Sequence, residues 1–265
     1  MSTAPTVWLA ADPVVERVQL DERSWVDVVR GLVPDAQRVH DQLERTAGWR
    51  TGSTFRYERW VDDVRRSATQ SGPRRHPALV EVETWLVRHY RVRFSGVVLA
   101  QYRHGGEALG FHRDRGMVWL DDTRIALLSL GARRPWLLRP ETGRPVIDPD
   151  DALRDAVDIS PGNGDLLVMG GRCQRDWLHA VPAVPYPVGS RISAQWRWTS
   201  RRGEPDTDPD SRDPRVFGKS GLVAPPRSAP RPTRPSSGGF RDARSTGSGR
   251  TPAPGTPRRP GRAPT

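Results

Sequence analysis

The 265-residue chain has a single cysteine, no long apolar run and no glycine-rich phosphate loop. One thiol, Cys173, excludes an intramolecular disulfide framework and a cysteine-rich zinc site. Without an apolar run of about 18 residues no membrane-spanning helix is expected. Met1 to Leu20 has acids at Asp12 and Glu16 and no basic stretch ahead of an apolar core, so no secretory signal is expected there. A cytoplasmic protein acting as a monomer is the expectation. The lack of a βαβ alternation argues against a nucleotide-binding α/β enzyme. Hydrophobic residues make up 35%, which is low for a chain packed along its whole length.

Positive charge is present but uneven. Val216 to Thr265 holds ten Lys+Arg and one acid, while the preceding residues carry 32 basic and 30 acidic side chains. The sequence pI near 11 therefore belongs mostly to the C-terminal segment. Residues 206–265 are dominated by Pro, Arg, Gly, Ser and Thr and bury too little surface to offset backbone ordering, so a disordered tail is expected. It reads either as a solubilising tail or as an electrostatic tether to nucleic acid.

Residues 1–205 read as one domain, mainly β with flanking helices. Helical spacing of Val33, Ala36, Val39 and Leu43 predicts a helix over Pro34 to Ala47. A second helix opens at Pro77, a residue suited to the first helical position, and carries Leu79, Val80, Val82, Trp85, Leu86 and Tyr90. Between them, Trp49 to Arg66 mixes aromatics with arginines. Trp49, Phe55, Tyr57 and Trp60 suit either base stacking beside phosphate-holding arginines or a packing shell with a solvated basic face. From Gly96 short strands are predicted at Val97–Tyr102, Arg124–Leu130, Trp136–Leu138, Val157–Ile159, Asp165–Met169, Trp177–Val181 and Arg191–Trp198. Turn residues such as Pro161-Gly162-Asn163-Gly164 separate them. This spacing points to a β-sandwich or jelly roll over about 96–200.

Of six histidines, His40 and His89 fall in the predicted helices and His76 precedes Pro77. His112 stands two residues before Asp114, and on extended backbone i and i+2 share a face. His179, in a later strand, completes two imidazoles and one carboxylate, the donor set of non-haem Fe(II) oxygenases. Arg191, Ser193, Gln195 and Arg197 share one face of the last strand. Buried guanidinium groups need an anion, and the fork fits a carboxylate. The far carboxylate of 2-oxoglutarate meets that need, whereas a solvent-facing edge strand guarded by arginines is the plainer alternative. Asp165 reads as a turn cap and Cys173 as a small buried thiol.

These residues resemble the AlkB family of 2-oxoglutarate- and Fe(II)-dependent dioxygenases. The resemblance extends to Tyr102-Arg103-His104-Gly105, to Ile125 through Ala132, to Gly164 through Gln174, to Trp177-x-His179-Ala180-Val181-Pro182 and to Arg191 through Arg197. It implies a double-stranded β-helix with His112, Asp114 and His179 as iron ligands. It also implies Arg191 on the distal 2-oxoglutarate carboxylate, with Tyr102, Arg197 and Ser193 as further cosubstrate contacts. The segment at about 49–70 is similar to the family's substrate lid, with Trp49, Phe55, Tyr57 and Trp60 as substrate residues. The implied reaction uses Fe(II), 2-oxoglutarate and O2 and yields succinate, CO2 and, from an N-methyl group, formaldehyde. Its implied partner is alkylated DNA or RNA, whose base must leave the stack to react. The chain departs from the family pattern at Ala100, where an Asn hydrogen bond is lost, and at Gly116 and Met117, where an acidic pair is lost. Three readings follow: a nucleic-acid demethylase for DNA alkylation repair, an oxygenase of a protein or small molecule, or a nucleic-acid-binding protein with a vestigial site.

Overall fold

The computed structural model describes residues 7–56, 59–114, 117–143, 155–203 and 205, with the side chains of 53–64 outside that description. Tail residues 206–265 and the side chains of Phe55, Tyr57 and Trp60 therefore lie outside the described residues. Numbered in chain order, β1 (Glu16–Gln19), β2 (Ser24–Val29), β3 (Arg50–Arg56), β4 (Arg59–Gln70), β5 (Ser95–Tyr102), β7 (Thr123–Gly131), β10 (Leu166–Gly171) and β12 (Arg191–Thr199) form one sheet. Its order is β1-β2-β10-β7-β12-β5-β4-β3, antiparallel throughout. β6 (Leu109–His112), β8 (Leu137–Pro140), β9 (Val157–Asp158) and β11 (Trp177–Val181) form a second antiparallel sheet in the order β6-β11-β8-β9. Together they make the expected jelly-roll core.

Two apolar cores follow from strand alternation. On one face of the large sheet, Ile192, Ala194 and Trp196 of β12 and Leu99 of β5 are buried with α1 (Ala36–Thr46) and α2 (Pro77–Tyr90), which contribute Val39, Leu43, Leu79, Val82 and Leu86. The other core joins the two sheets through Tyr102, Leu127, Leu167, Trp136, Leu138 and Trp177. Burying one such Leu or Val side chain contributes roughly 1.5–3 kcal/mol. The odd-numbered face of β12, with its two arginines, therefore looks into the molecule.

Local chemistry fixes the connections. Pro77 opens α2, and the Nδ1 of His76 caps it by accepting from the Ala78 N–H at 3.2 Å. The Asp165 carboxylate accepts from Gly162 N at 2.8 Å, Gly31 N at 2.9 Å and Arg30 Nη1 at 2.7 Å, which is the turn cap that was expected. Gly164 sits at φ +90°, and a Cβ there would lie 2.3 Å from the Val33 carbonyl.

The sequence reading did not anticipate β1 to β4 or β6. β1 is nearly all exposed, so it lacks an apolar face to recognise, and β2 is almost wholly buried, so it lacks alternation. The edge-strand alternative for Arg191 and Arg197 is overturned, because β12 lies between β7 and β5. Among the described residues no helix is long and apolar enough to cross a membrane.

Candidate metal centre and cosubstrate pocket

β6 and β11 pair so that His112 and His179 stand directly opposite one another. Directly opposed side chains on one face are close enough to touch, and these rings have centroids 4.3 Å apart. Asp114 lies just past the end of β6 and turns Oδ1 toward both, 3.8 Å from His112 Nε2 and 3.7 Å from His179 Nε2. One ligand atom from each residue lies within 4.8 Å of the others. A cation about 2.1 Å from each donor requires donor separations of roughly 3–4 Å, so a small closure of this triangle suffices.

Neighbouring groups prepare each donor. His112 Nδ1 lies 2.8 Å from the Gly110 carbonyl, which makes Nδ1 the protonated nitrogen and leaves the Nε2 lone pair for the site. His179 is stacked against Trp136 at 5.7 Å and 30°. Burial lowers the pKa of His112 despite the opposing pull of Asp114. Burial, with help from His112, pushes that of His179 down to about 3. Both imidazoles are thus neutral ligands at physiological pH. Burial alone would raise the Asp114 pKa, but Arg197, His179 and His112 together hold it well below the usual carboxylate range. The second oxygen, Oδ2, accepts from Arg197 Nε at 2.7 Å, and the Asp114 carbonyl accepts from the Gln174 amide at 3.0 Å.

The pocket holding the triad is also lined by Arg65, Tyr102, Arg191, Ser193 and Gln195, with Leu109, Leu127 and Val181 as apolar wall. Arg191 pairs with Tyr102 across β5 and with Gly131 across β7, and only 1% of it is exposed. Its Nε donates to Ser129 Oγ at 3.1 Å, while among the described residues Nη1 and Nη2 have no partner, and neither does the buried Ser193 Oγ. Burial lowers the Arg191 pKa to about 10, so the guanidinium stays charged. A buried fork with two idle donors is incomplete without an anion. These residues fit a dicarboxylate, and the triad beside them fits a ferrous ion.

The structure brings His112, Asp114, His179, Tyr102, Arg191 and Ser193 to one pocket, and sets Arg197 beside it on Asp114. Arg197 is engaged by Asp114 and by Gln195 Oε1 at 2.6 Å, so it orients a metal ligand. Trp49 takes the packing-shell position that was the alternative for it. Its Nε1 donates to the Leu43 and Glu44 carbonyls at 3.2 and 3.1 Å, and the ring packs at the end of α1 as part of the shell. Met117, which stands in the position of a lost acid, is buried in the inter-sheet core. Sequence reasoning missed Arg65, Trp136 and Gln174. Alternation flagged the face of Gln195 but not its hold on Arg197.

Several proteins are similar to this chain. An alpha-ketoglutarate-dependent dioxygenase alkB homolog 3 from Bos taurus is 27% identical over 62% of this chain and 61% of its own length. The DNA oxidative demethylase ALKBH2 of Arabidopsis thaliana is 27% identical over 40% of this chain and 38% of its own. The chain thus spans less than two thirds of either relative. The crystal structure of HygX from Streptomyces hygroscopicus, with nickel, 2-oxoglutarate and hygromycin B bound, is 13% identical with a TM-score of 0.46, over 68% of this chain and 84% of that one. The family described as the 2OG-Fe(II) oxygenase superfamily matches residues 19–198. With that match running from β2 through nearly all of β12, the chain belongs to the 2OG-Fe(II) oxygenase superfamily, whose Fe(II) and 2-oxoglutarate suit the triad and the Arg191 fork.

Proposed function

We propose that this dioxygenase oxidatively demethylates alkylated nucleic-acid bases. The observation that carries the chemistry is the His112, Asp114 and His179 triad beside the partnerless Arg191 fork. Kinship supports the substrate class, since one relative bears the name DNA oxidative demethylase.

Iron bound here would use O2 and 2-oxoglutarate to oxidise a C–H bond, with the keto acid leaving as succinate and CO2. The protein's part is positioning. His112, Asp114 and His179 would hold the ion, with three protein donors leaving coordination positions for small ligands. Arg191 anchors the far end of the keto acid, which fixes the orientation of the reacting end. Arg197 keeps Asp114 ionised and turned to the metal. Leu109, Leu127, Trp136 and Val181 exclude water from the reacting atoms. An N-methyl carbon hydroxylated here leaves as formaldehyde, restoring the amine.

The test is incubation of the full chain with Fe(II), ascorbate, 2-oxoglutarate and a panel of methylated oligonucleotides, following formaldehyde and oligonucleotide mass. Stoichiometric formaldehyde and loss of methyl mass are expected. A second reading, oxidation of a protein or small molecule, draws on Met117, an apolar core residue where the family pattern has an acid. Succinate formed with no oligonucleotide demethylated would favour it. The intact ligand set argues against a vestigial site.

A further inference from the structure

β4 carries adjacent arginines that part company. Arg66 pairs in register with Gln101 and bonds its Oε1 at 3.1 and 2.6 Å, with its guanidinium 5.8 Å from the Trp49 ring. Alternation sends Arg65 to the opposite face, where it lines the pocket and donates from Nη1 to the Tyr102 hydroxyl at 2.9 Å. Among the described residues no carboxylate pairs with Arg65.

A guanidinium can only donate, so the Tyr102 oxygen is the acceptor in this bond. The phenol proton is then left to be given elsewhere. Tyr102 is 2% exposed, so that proton has little access to water, and no described protein group accepts it. Beside it, Arg191 Nη1, Nη2 and Ser193 Oγ are likewise unpartnered. Four hydrogen-bond donors thus face one pocket, and no described protein group accepts from them, as an anion site demands.

We propose that Arg65 is a positioning residue that turns the Tyr102 hydroxyl proton toward the 2-oxoglutarate carboxylate anchored by Arg191. By occupying one side of the phenol oxygen it makes Tyr102 an obligate donor to the cosubstrate. The proposal rests on the cosubstrate chemistry alone, and no nucleic acid enters its test.

The test is an anaerobic titration of the Fe(II)-loaded full chain with 2-oxoglutarate, following the visible charge-transfer absorption of an iron-chelated keto acid. Tyr102→Phe removes one hydrogen bond to a charged group and is expected to weaken binding by about tenfold or more. Arg65→Met is expected to weaken it by about three- to tenfold, and the double variant to bind as weakly as Tyr102→Phe and no weaker. The Arg65→Met loss should persist in high salt, where long-range charge effects fade. Arg65→Lys, still a donor-only cation, should fall between wild type and Arg65→Met. Wild-type affinity in Arg65→Met would overturn the proposal, as would losses that multiply in the double variant, a loss abolished by salt, or Arg65→Lys binding no better than Arg65→Met.

Discussion

Replacing Arg191 with methionine is expected to move stability and cosubstrate response in opposite directions. The Arg191 guanidinium is 1% exposed, and burial lowers its pKa from the ordinary arginine range to about 10. For a base, a folded pKa below the ordinary value means that the charged form is penalised in the native state. That penalty is fully present at any pH below about 10 and is relieved only above it. At about 1.4 kcal/mol per pH unit, burying the charge costs about 3 kcal/mol. Methionine has a similar unbranched stem and removes this cost, at the loss of about 1 kcal/mol for the bond to Ser129. The cosubstrate-free variant should therefore gain about 2 kcal/mol, or roughly 4–8 °C in Tm for a domain of this size. Cosubstrate at 100 times its Kd should stabilise the wild type by about 2.7 kcal/mol, or roughly 5–11 °C. The variant, lacking both idle donors, should show almost none of that gain at the same concentration. Thermal unfolding by circular dichroism with Mn(II), with and without 2-oxoglutarate, reads both effects. A variant that melts well below the wild type without cosubstrate, or that keeps the full cosubstrate shift, would refute the reasoning.

Other outcomes follow from the same site. Arg197→Met frees Asp114 Oδ2 and should lower Mn(II) affinity by about 10–100-fold in calorimetric titration, with the fold intact by circular dichroism. Stability of the metal-free protein should fall as pH drops below 6.5. The unfolded histidines then take up protons that His112 and His179, with lowered folded pKa values, refuse; the slope is at most about 2.7 kcal/mol per pH unit for two protons. Asp114 steepens the loss below 3.8, since its folded pKa is also lowered and the unfolded carboxylate protonates first. Urea denaturation across pH 3–8 measures both. Arg134 is fully buried and donates to the carbonyls of His104, Gly105, Glu107 and Pro182, so Arg134→Met should destabilise by about 3 kcal/mol, read as a lower urea midpoint.

The legible part of this protein was the part governed by local alternation. His112 and Asp114 announce themselves two residues apart, and the β12 arginines and Ser193 share a face by the same rule. The meeting of His179 with His112 depends on cross-strand register between β11 and β6, which no local pattern encodes. Register also divides Arg191 from Arg197. One lies opposite Tyr102 with an idle fork, while the other reaches Asp114, so two like residues on one face do different work. Arg65 and Arg66 were indistinguishable in a basic stretch until the pairing of β4 with β5 assigned them to opposite faces. The basic surroundings of Trp49 suited stacking and packing alike, and only the structure shows its indole N–H bonded to the last carbonyls of α1.

A crystal of the full chain grown with Mn(II) and 2-oxoglutarate, without oxygen, and analysed by anomalous scattering addresses the centre of the account. It should show one strong metal peak bonded by His112 Nε2, Asp114 Oδ1 and His179 Nε2, with the keto acid's far carboxylate on Arg191. A peak elsewhere, or a cosubstrate whose carboxylate avoids Arg191, would contradict it.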